Sequence, residues 1–291
     1  MAQVSELVVY PVKGCRGVPV ASVEPDAYGL PADRRWMVVD ETGRFLSQRV
    51  EPRLALVRAM LDPSRLVLEA HGMPPLEVSA GAEARLVPVT VWDDQGPARD
   101  AGDAAARWLS QHLRRPARLV QRDESFQRVA NPEYAPGARL AFNDAYPVLV
   151  IGEASLAELN RRLERPLRMD RFRPNVVISG ASPFAEDGWR RIRVGDGVLR
   201  LVKPCTRCVA TTVDQQSSEK GAEPLRTLAS FRRWNGSVIF GQNAVVERPG
   251  LMRLGDAVEV LESGEPAIPF PVSASTSAGP PPPSDAPGQA R

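Results

Sequence analysis

Two of the three cysteines lie in one short segment, Lys203 to Asp214, and a cysteine thiolate is both a nucleophile and a soft metal ligand. Cys205 and Cys208 have Cys-x-x-Cys spacing, and Lys203 or Arg207 is a neighbouring cation that would favour the ionised sulfur. A reactive or metal-binding thiolate at a strand end is one interpretation of this segment. Two buried, inert cysteines are the other, and the segment alone does not separate them.

Three other uses of a Cys-x-x-Cys pair fit poorly. A structural zinc site needs about four ligands, and the other thiol and imidazole groups are scattered at Cys15, His71 and His112. A thioredoxin-type pair stands at the start of a helix, whereas β-forming residues predict a strand over Val209 to Val213. Haem attachment requires a histidine directly after the second cysteine, and Val209 occupies that position.

Cationic residues stand at the ends of other predicted strands. The segment Lys13-Gly14-Cys15-Arg16-Gly17 follows a β-rich run, and its two glycines allow backbone amides to approach an anion closely. Further arginines stand in Asp33-Arg34-Arg35-Trp36 and in Phe172-Arg173-Pro174-Asn175. Lysine and arginine held at strand ends suit a phosphate, although each one alone is also consistent with an ordinary surface cation.

The elements that must position these residues are mostly short strands. Between Val4 and Asp93, repeated β-rich runs with turn signals predict a closed or strongly bent antiparallel sheet. A helix is predicted over Ala101 to Leu113, and a second one over Ser155 to Leu163 from the Ser155/Glu158 capping-box spacing. Strands return after it. The predicted fold class is therefore mainly β (α+β), with two β-barrel-like domains and a few peripheral helices.

The chain divides into three predicted parts. Periodicity is lost near residue 120, where Pro, Arg and small residues dominate, and this predicts domains over residues 1–120 and 121–263. Residues 264–291 are rich in Pro, Ser, Ala and Gly. They predict a disordered tail, or a docking peptide for a proline-reading domain.

Composition and charge exclude several classes of protein. The 291 residues are 43% hydrophobic and 25% charged, as one large or two modest globular domains require. A formal net charge of +2 gives no overall field to hold nucleic acid or an anionic membrane. Neither a signal peptide nor a run of about 18 apolar residues is visible, and three cysteines make no disulfide framework. We therefore predict a cytoplasmic protein without nucleic-acid or membrane partners.

The chemistry-bearing segments occur in an order that resembles a known family. In chain order they are Tyr10-Pro11-Val12-Lys13-Gly14-Cys15-Arg16-Gly17, Asp33-Arg34-Arg35-Trp36, Phe172-Arg173-Pro174-Asn175, Pro204-Cys205-Thr206-Arg207-Cys208 and Phe240-Gly241-Gln242-Asn243. The chain is similar to MOSC-domain proteins with an N-terminal MOSC β-barrel domain, above all to the amidoxime-reducing molybdenum enzymes. The likeness runs from Val4 to Leu261.

This resemblance implies a molybdenum cofactor between the two domains, with Cys208 as the thiolate ligand of the metal. Asp144 matches a family aspartate near the metal. We expect it to relay or orient a proton, or else to anchor a neighbouring group without a proton role. Ala145 removes a hydroxyl beside it, which puts the substrate range in question. Cys15 and Cys205 are expected to serve packing.

The resemblance also implies a set of cofactor-binding residues, which are Lys13, Gly14, Arg34, Arg173, Asn175 and Thr206. Lys13 and Arg34 match the residues that grip the phosphate in the family, and Arg173 matches a further cofactor contact. Gly14 stands where some relatives carry serine, so its backbone amide would replace a hydroxyl.

The implied activity is the reduction of small N-hydroxylated compounds, such as amidoximes, hydroxylamines and N-hydroxylated bases. A plant-type iron–sulfur domain needs four cysteine ligands, more than the chain contains, and no dinucleotide fingerprint follows an early strand. The electrons are therefore expected from a separate reductase or ferredoxin-like protein. Two other functions stay open: a sulfur-handling module with a persulfide on Cys205 or Cys208, and a non-catalytic carrier of the cofactor.

Overall fold

The computed structural model describes residues 1–62, 65–79, 81, 83–266 and 268, and most of its ordered elements are strands. The tail predicted over residues 264–291 lies almost entirely outside the described residues. The prediction of a mainly β (α+β) fold with a few helices is confirmed.

The strands are β1 Gln3–Val9, β2 Val18–Pro19, β3 Ser22–Val23, β4 Trp36–Val39, β5 Arg58–Asp62, β6 Arg65–Glu69, β7 Leu76–Val78, β8 Leu86–Val91, β9 Asp94–Asp100, β10 Arg118–Arg122, β11 Arg128–Val129, β12 Arg139–Leu140, β13 Val148–Gly152, β14 Val176–Ser179, β15 Trp189–Val194, β16 Gly197–Thr206, β17 Arg233–Trp234, β18 Ser237–Arg248, β19 Met252–Arg253 and β20 Val258–Ser263. The α-helices are α1 Asp103–Leu113, α2 Glu153–Asn160 and α3 Leu225–Phe231. Short 3-10 helices cover Pro52–Leu56, Met169–Arg171, Ala185–Gly188 and Val209–Thr212.

The largest sheet has the strand order β2-β1-β14-β13-β18-β16-β15-β20, with β17 paired to β18. Its pairs are antiparallel except β13 with β14, which run parallel. The long strands β16 and β18 pair through three register shifts, and such irregularities bend a sheet. Its buried face carries aliphatic residues, among them Val150, Val176, Ile192 and Leu199.

The first strand of the chain belongs to this sheet rather than to the sheets of its own half. In the register of β1 with β14, Val4 lies opposite Ile178 and Leu7 opposite Val176. Strand β3 likewise pairs with β19. The domain boundary predicted near residue 120 stays a prediction. Strands from before that boundary nevertheless pair with strands from after it, because β1 and β2 belong to the large sheet and β3 pairs with β19.

Smaller sheets form the rest of the first half. Strands β4-β10-β9-β8 make an antiparallel four-stranded sheet, and β5-β6-β7 make a three-stranded one. Helix α1 packs Trp108 and Leu109 into the core between them, as its apolar spacing predicts. The helix begins after Gly102, whose φ of 87° lies in the left-handed region and excludes the predicted first residue, Ala101.

Two predicted elements differ from the structure. The strand predicted over Val209 to Val213 is wrong, because the Thr211 and Thr212 hydroxyls donate to the carbonyls of Cys208 and Val209, at 2.9 and 2.8 Å, in a 3-10 helix. Such local bonds compete with a strand ladder. The second helix begins at Glu153, two residues before the predicted start, so Ser155 lies inside its first turn. There the Ser155 hydroxyl donates to Glu186 at 2.9 Å and accepts from the Phe184 amide at 2.8 Å instead of capping the helix.

Across the described ranges of the chain, every helix is too short or too polar to cross a bilayer.

Candidate active site

One cavity of about 350 Å³ collects every residue that the family resemblance assigned to catalysis, metal binding or cofactor binding. They are Lys13, Gly14, Arg34, Asp144, Arg173, Asn175, Thr206 and Cys208. The volume lies in the range of small-molecule and cofactor sites. Because the lining comes from both halves of the chain, the site depends on their packing together.

Cys208 lies where strand β16 has ended and the 3-10 helix Val209–Thr212 begins, and its side chain is partly buried. Arg49 donates its Nε–H to the Cys208 sulfur at 3.1 Å. The expected cationic neighbours lie elsewhere: Lys203 Nζ sits 4.5 Å from the ring centre of Tyr134, and Arg207 donates to backbone carbonyls. Lys203 therefore does not accompany the thiol, whereas Arg207 lines the same cavity, and its charge opposes the effect of burial, which raises the pKa of Cys205.

Asp144 is paired with Lys13 on the cavity wall. The buried Lys13 ammonium donates to Asp144 Oδ1 at 2.5 Å and to the Phe142 carbonyl at 2.7 Å. Burial lowers the pKa of Lys13 to about 8, although the Asp144 charge opposes this shift. Burial alone would raise the pKa of Asp144, but the Lys13 charge, followed by Arg49 and Arg34, holds that pKa well below its usual range. The carboxyl is therefore ionised at neutral pH.

Arg34 and Arg173 both lie against the Tyr10 ring. Their guanidinium carbons lie 4.4 and 4.2 Å from its centre, and the Tyr10 hydroxyl donates to the Pro174 carbonyl at 3.0 Å. Both arginines have left-handed backbones, with φ of 49° and 58°. Such strain costs about 1–3 kcal/mol per residue and gathers at functional sites. Two guanidinium groups side by side form a site suited to an anion.

The Asp33 carboxylate, which is fully buried, fixes this arginine pair from behind. It accepts hydrogen bonds from the Tyr10 amide at 2.8 Å and from Arg34 Nη1 at 2.6 Å. It also accepts from the side-chain amides of Asn143 at 3.1 Å and Asn175 at 3.0 Å. These bonds hold one buried negative charge against the cations that face the cavity.

Asn175 lines the cavity, but both polar atoms of its side chain are hydrogen-bonded to other groups of the protein. Its Oδ1 accepts from Arg34 and from the Leu149 amide, and its Nδ2 donates to Asp33 and the Val8 carbonyl. Its geometry is that of a residue which orients Arg34. Thr206, in contrast, is exposed at the end of β16.

Sequence reasoning missed Gln48, Arg49 and Trp92, all of which line the cavity. Gln48 and Gln215 exchange two side-chain hydrogen bonds, at 3.0 and 2.9 Å, across the two halves of the chain. The one available signal was the polar run Ser47-Gln48-Arg49 directly after the apolar pair Phe45-Leu46. That run resembles an ordinary loop, and only the fold places it beside Cys208.

The donor set fits an anionic cofactor that brings a thiophilic metal. Six cationic side chains line the cavity, Lys13, Arg34, Arg49, Arg171, Arg173 and Arg207, against the single carboxylate of Asp144. Arg207 Nη2 is buried and has no hydrogen-bond partner among the described residues. Cationic donors match phosphate oxygens, and a thiolate matches a soft metal.

The structure combines a mainly β fold with a cavity that holds a thiol among cationic side chains. Residues 1–116 match the MOSC N-terminal beta barrel domain family, and residues 137–259 match the MOSC domain family. The chain belongs to the family of MOSC-domain proteins with this N-terminal β barrel, as its motifs indicated.

Curated relatives cover most of the chain. It is 37% identical over 281 residues to mitochondrial amidoxime-reducing component 1 of Homo sapiens, and the aligned region covers 89% of this chain and 82% of the relative. It is 38% identical over 277 residues to mitochondrial amidoxime reducing component 2 of Rattus norvegicus, with 88% and 82% covered. The solved YuaD protein of Bacillus subtilis has a TM-score of 0.43 and 13% identity over 88% of this chain and 93% of its own. That likeness is too weak to support an inference.

The prediction of a cytoplasmic protein is contradicted by these comparisons, because the relatives are named as mitochondrial components. Composition and the length of apolar runs indicate whether a chain dissolves in water or inserts into a membrane. They carry no information on which aqueous compartment receives it.

Proposed function

We propose that the protein binds a molybdenum cofactor in this cavity and reduces small N-hydroxylated compounds, such as amidoximes, hydroxylamines and N-hydroxylated bases. The electrons come from a separate electron-transfer protein. The observation that carries the proposal is the Cys208 thiol, held by Arg49 beside the ionised Asp144 in a cationic cavity. The names of the relatives, amidoxime-reducing components, support the choice of substrate class.

The residues divide into those that would hold the metal and those that would hold the phosphate. Cys208 would give the metal a sulfur ligand, and Arg34 and Arg173 would bind the phosphate. Lys13 is largely committed within the protein, since two of the three donors of its ammonium go to Asp144 and the Phe142 carbonyl. It retains one donor for the cofactor. Gly14, with φ of 83°, brings its backbone close to the same group.

When bound, the cofactor supplies the two-electron redox change. The overall reaction converts an N–OH group to N–H and releases water, and it consumes two electrons and two protons. Asp144 is 58% exposed and ionised, so it accepts a hydrogen bond from the substrate hydroxyl and passes protons on rather than storing one. The Lys13 ammonium, 2.5 Å away, is the adjacent positive charge that keeps this carboxylate ionised and in place.

The proposal is tested with protein purified from a host that overproduces the cofactor. We expect about one molybdenum per chain and anaerobic conversion of an aromatic amidoxime to the amidine when a reduced viologen dye is the donor. NADH alone should give no turnover. Labile sulfane sulfur without molybdenum would instead favour a sulfur-handling module. Bound molybdenum without amidine formation from any donor would favour a cofactor carrier.

The alkaline limb of the activity profile tests the role of Lys13. With a Lys13 pKa of about 8, wild-type kcat/KM for the amidoxime should fall as the pH rises through 8, because the neutral amine no longer holds Asp144. Lys13→Arg keeps its charge over this range and should move the decline to higher pH.

The control for this profile is Lys203→Arg, since Lys203 packs on Tyr134 and does not line the cavity. It should reproduce the wild-type profile. All three proteins are compared per bound molybdenum. A Lys13→Arg profile that coincides with wild type would contradict the role of the Lys13 charge.

A further inference from the structure

We propose that Arg49 is a positioning residue that fixes the Cys208 sulfur and the Asp144 carboxylate relative to each other and raises the reduction potential of the metal bound by that sulfur. The inference rests on the proposed function. It concerns a residue that neither the motifs nor the resemblance identified.

The guanidinium group of Arg49 lies between the Cys208 sulfur and the Asp144 carboxylate. Arg49 Nε lies 3.1 Å from the Cys208 sulfur, and Nη2 lies 4.0 Å from Asp144 Oδ2. The contact with sulfur is a hydrogen bond and the contact with the carboxylate is an ion pair without one, so a single planar guanidinium links the two groups.

The arginine is itself held in place from several directions. Its guanidinium carbon lies 4.6 Å from the Trp92 ring centre, which stacks one face of the plane. Lys220 Nζ donates to the Arg49 carbonyl at 2.8 Å, and the preceding Gln48 is tied to Gln215. The side chain is 27% exposed, so water screens it only in part. Arg49 therefore carries a fixed charge from the first half of the chain to a thiol of the second half.

A cation and an N–H donor at a metal-bound sulfur withdraw negative charge from it. Hydrogen bonds to ligand sulfurs are a main determinant of the reduction potentials of metal–thiolate centres. Outer partners of metal ligands also contribute about 10- to 100-fold to metal affinity or activity. Asp144 already has its shorter ion pair with Lys13, at 2.5 Å, so loss of Arg49 should affect the sulfur more than the carboxylate.

The test compares Arg49→Gln and Arg49→Lys with wild type and with Arg44→Gln, an exposed arginine of the neighbouring hairpin that does not line the cavity. Molybdenum per chain is measured first. The reduction potential is then read from a redox titration that follows the electron paramagnetic resonance signal of the half-reduced metal. Amidoxime kcat/KM is measured per bound molybdenum.

We expect a more negative potential in Arg49→Gln, with kcat/KM lower by about 10- to 100-fold. Arg49→Lys should show the same direction with a smaller effect, because lysine keeps the charge but neither stacks nor presents two fixed donors. If Arg49→Gln fails to load the metal, the reduction potential of Arg49→Lys is compared with that of wild type instead. Arg44→Gln should match wild type.

Equal potentials and resonance signals in wild type and both loaded Arg49 variants would overturn this inference and leave the proposed function standing. Wild-type protein without molybdenum would overturn both. Loss of activity with an unchanged potential would also count against Arg49, because a purely structural defect produces that pattern.

Discussion

Cys208→Ser is expected to abolish molybdenum binding and amidoxime reduction. A serine hydroxyl stays protonated near neutral pH and is a poor substitute for a soft thiolate ligand. The loss should exceed the roughly 10- to 100-fold that follows removal of an outer partner of a metal ligand. Elemental analysis and the viologen-coupled assay, performed on the same preparation, measure both effects.

The fold should survive this substitution, because the Cys208 side chain is only partly buried and follows the end of β16. Circular dichroism and the urea midpoint should match wild type. Cys205→Ser is the comparison on the same segment: burial raises the pKa of the Cys205 thiol and keeps it protonated, so this variant should retain its metal. A molybdenum content in Cys208→Ser equal to that of wild type would contradict the assignment of Cys208 as the metal ligand.

Asp33→Ala is expected to lower the free energy of unfolding by about 3–5 kcal/mol, as removal of one partner of a buried ion pair does. The Asp33 carboxylate is fully buried and accepts four hydrogen bonds. Without it, the Arg34 guanidinium and the side-chain amides of Asn143 and Asn175 lose a shared acceptor. Cofactor retention should fall with stability, since Arg34 would no longer be held toward the cavity.

Asp26→Ala is the matched control for Asp33→Ala. Asp26 pairs with Arg35 at 2.7 Å, but its side chain is 47% exposed, and exposed pairs contribute about 0–1 kcal/mol. Urea unfolding of the cofactor-free proteins at one pH compares the two. Equal losses of stability in both variants would contradict the assignment of Asp33 as the central acceptor of the site.

Local signals in the sequence predicted much of the fold. The helical spacing of Ala105, Trp108, Leu109 and Leu113 predicted helix α1, and repeated short β-rich runs with turn signals predicted the strand-dominated class. The motif residues Cys208, Asp144 and Arg173 do share one cavity. The helix and the strands follow from neighbouring residues, whereas the shared site was implied by the family resemblance and not by the spacing of these residues along the chain.

The remainder depends on contacts between residues far apart in the chain. Arg49 looks like a loop arginine until the fold brings it 3.1 Å from Cys208. The β-branched run after Cys208 favours a strand by propensity, but threonine hydroxyls bonded to nearby carbonyls stabilise a 3-10 turn instead. The pairing of β1 with β14 joins residues on either side of the predicted boundary, and no local pattern encodes it.

That pairing has a consequence during translation. Strand β1 precedes its partner strand β14 in the chain, so Ile178 follows Val4 only after the intervening chain has been synthesised. At roughly 5–20 residues per second, the interval is about 9 to 35 s. Throughout it, β1 can pair only with the two-residue strand β2, and the apolar residues Val4, Leu7 and Val9 lack the core partners that the second half supplies. The nascent chain therefore exposes apolar side chains of β1 to the ribosome surface and to chaperones. The first half cannot finish folding before β14 of the second half has left the exit tunnel.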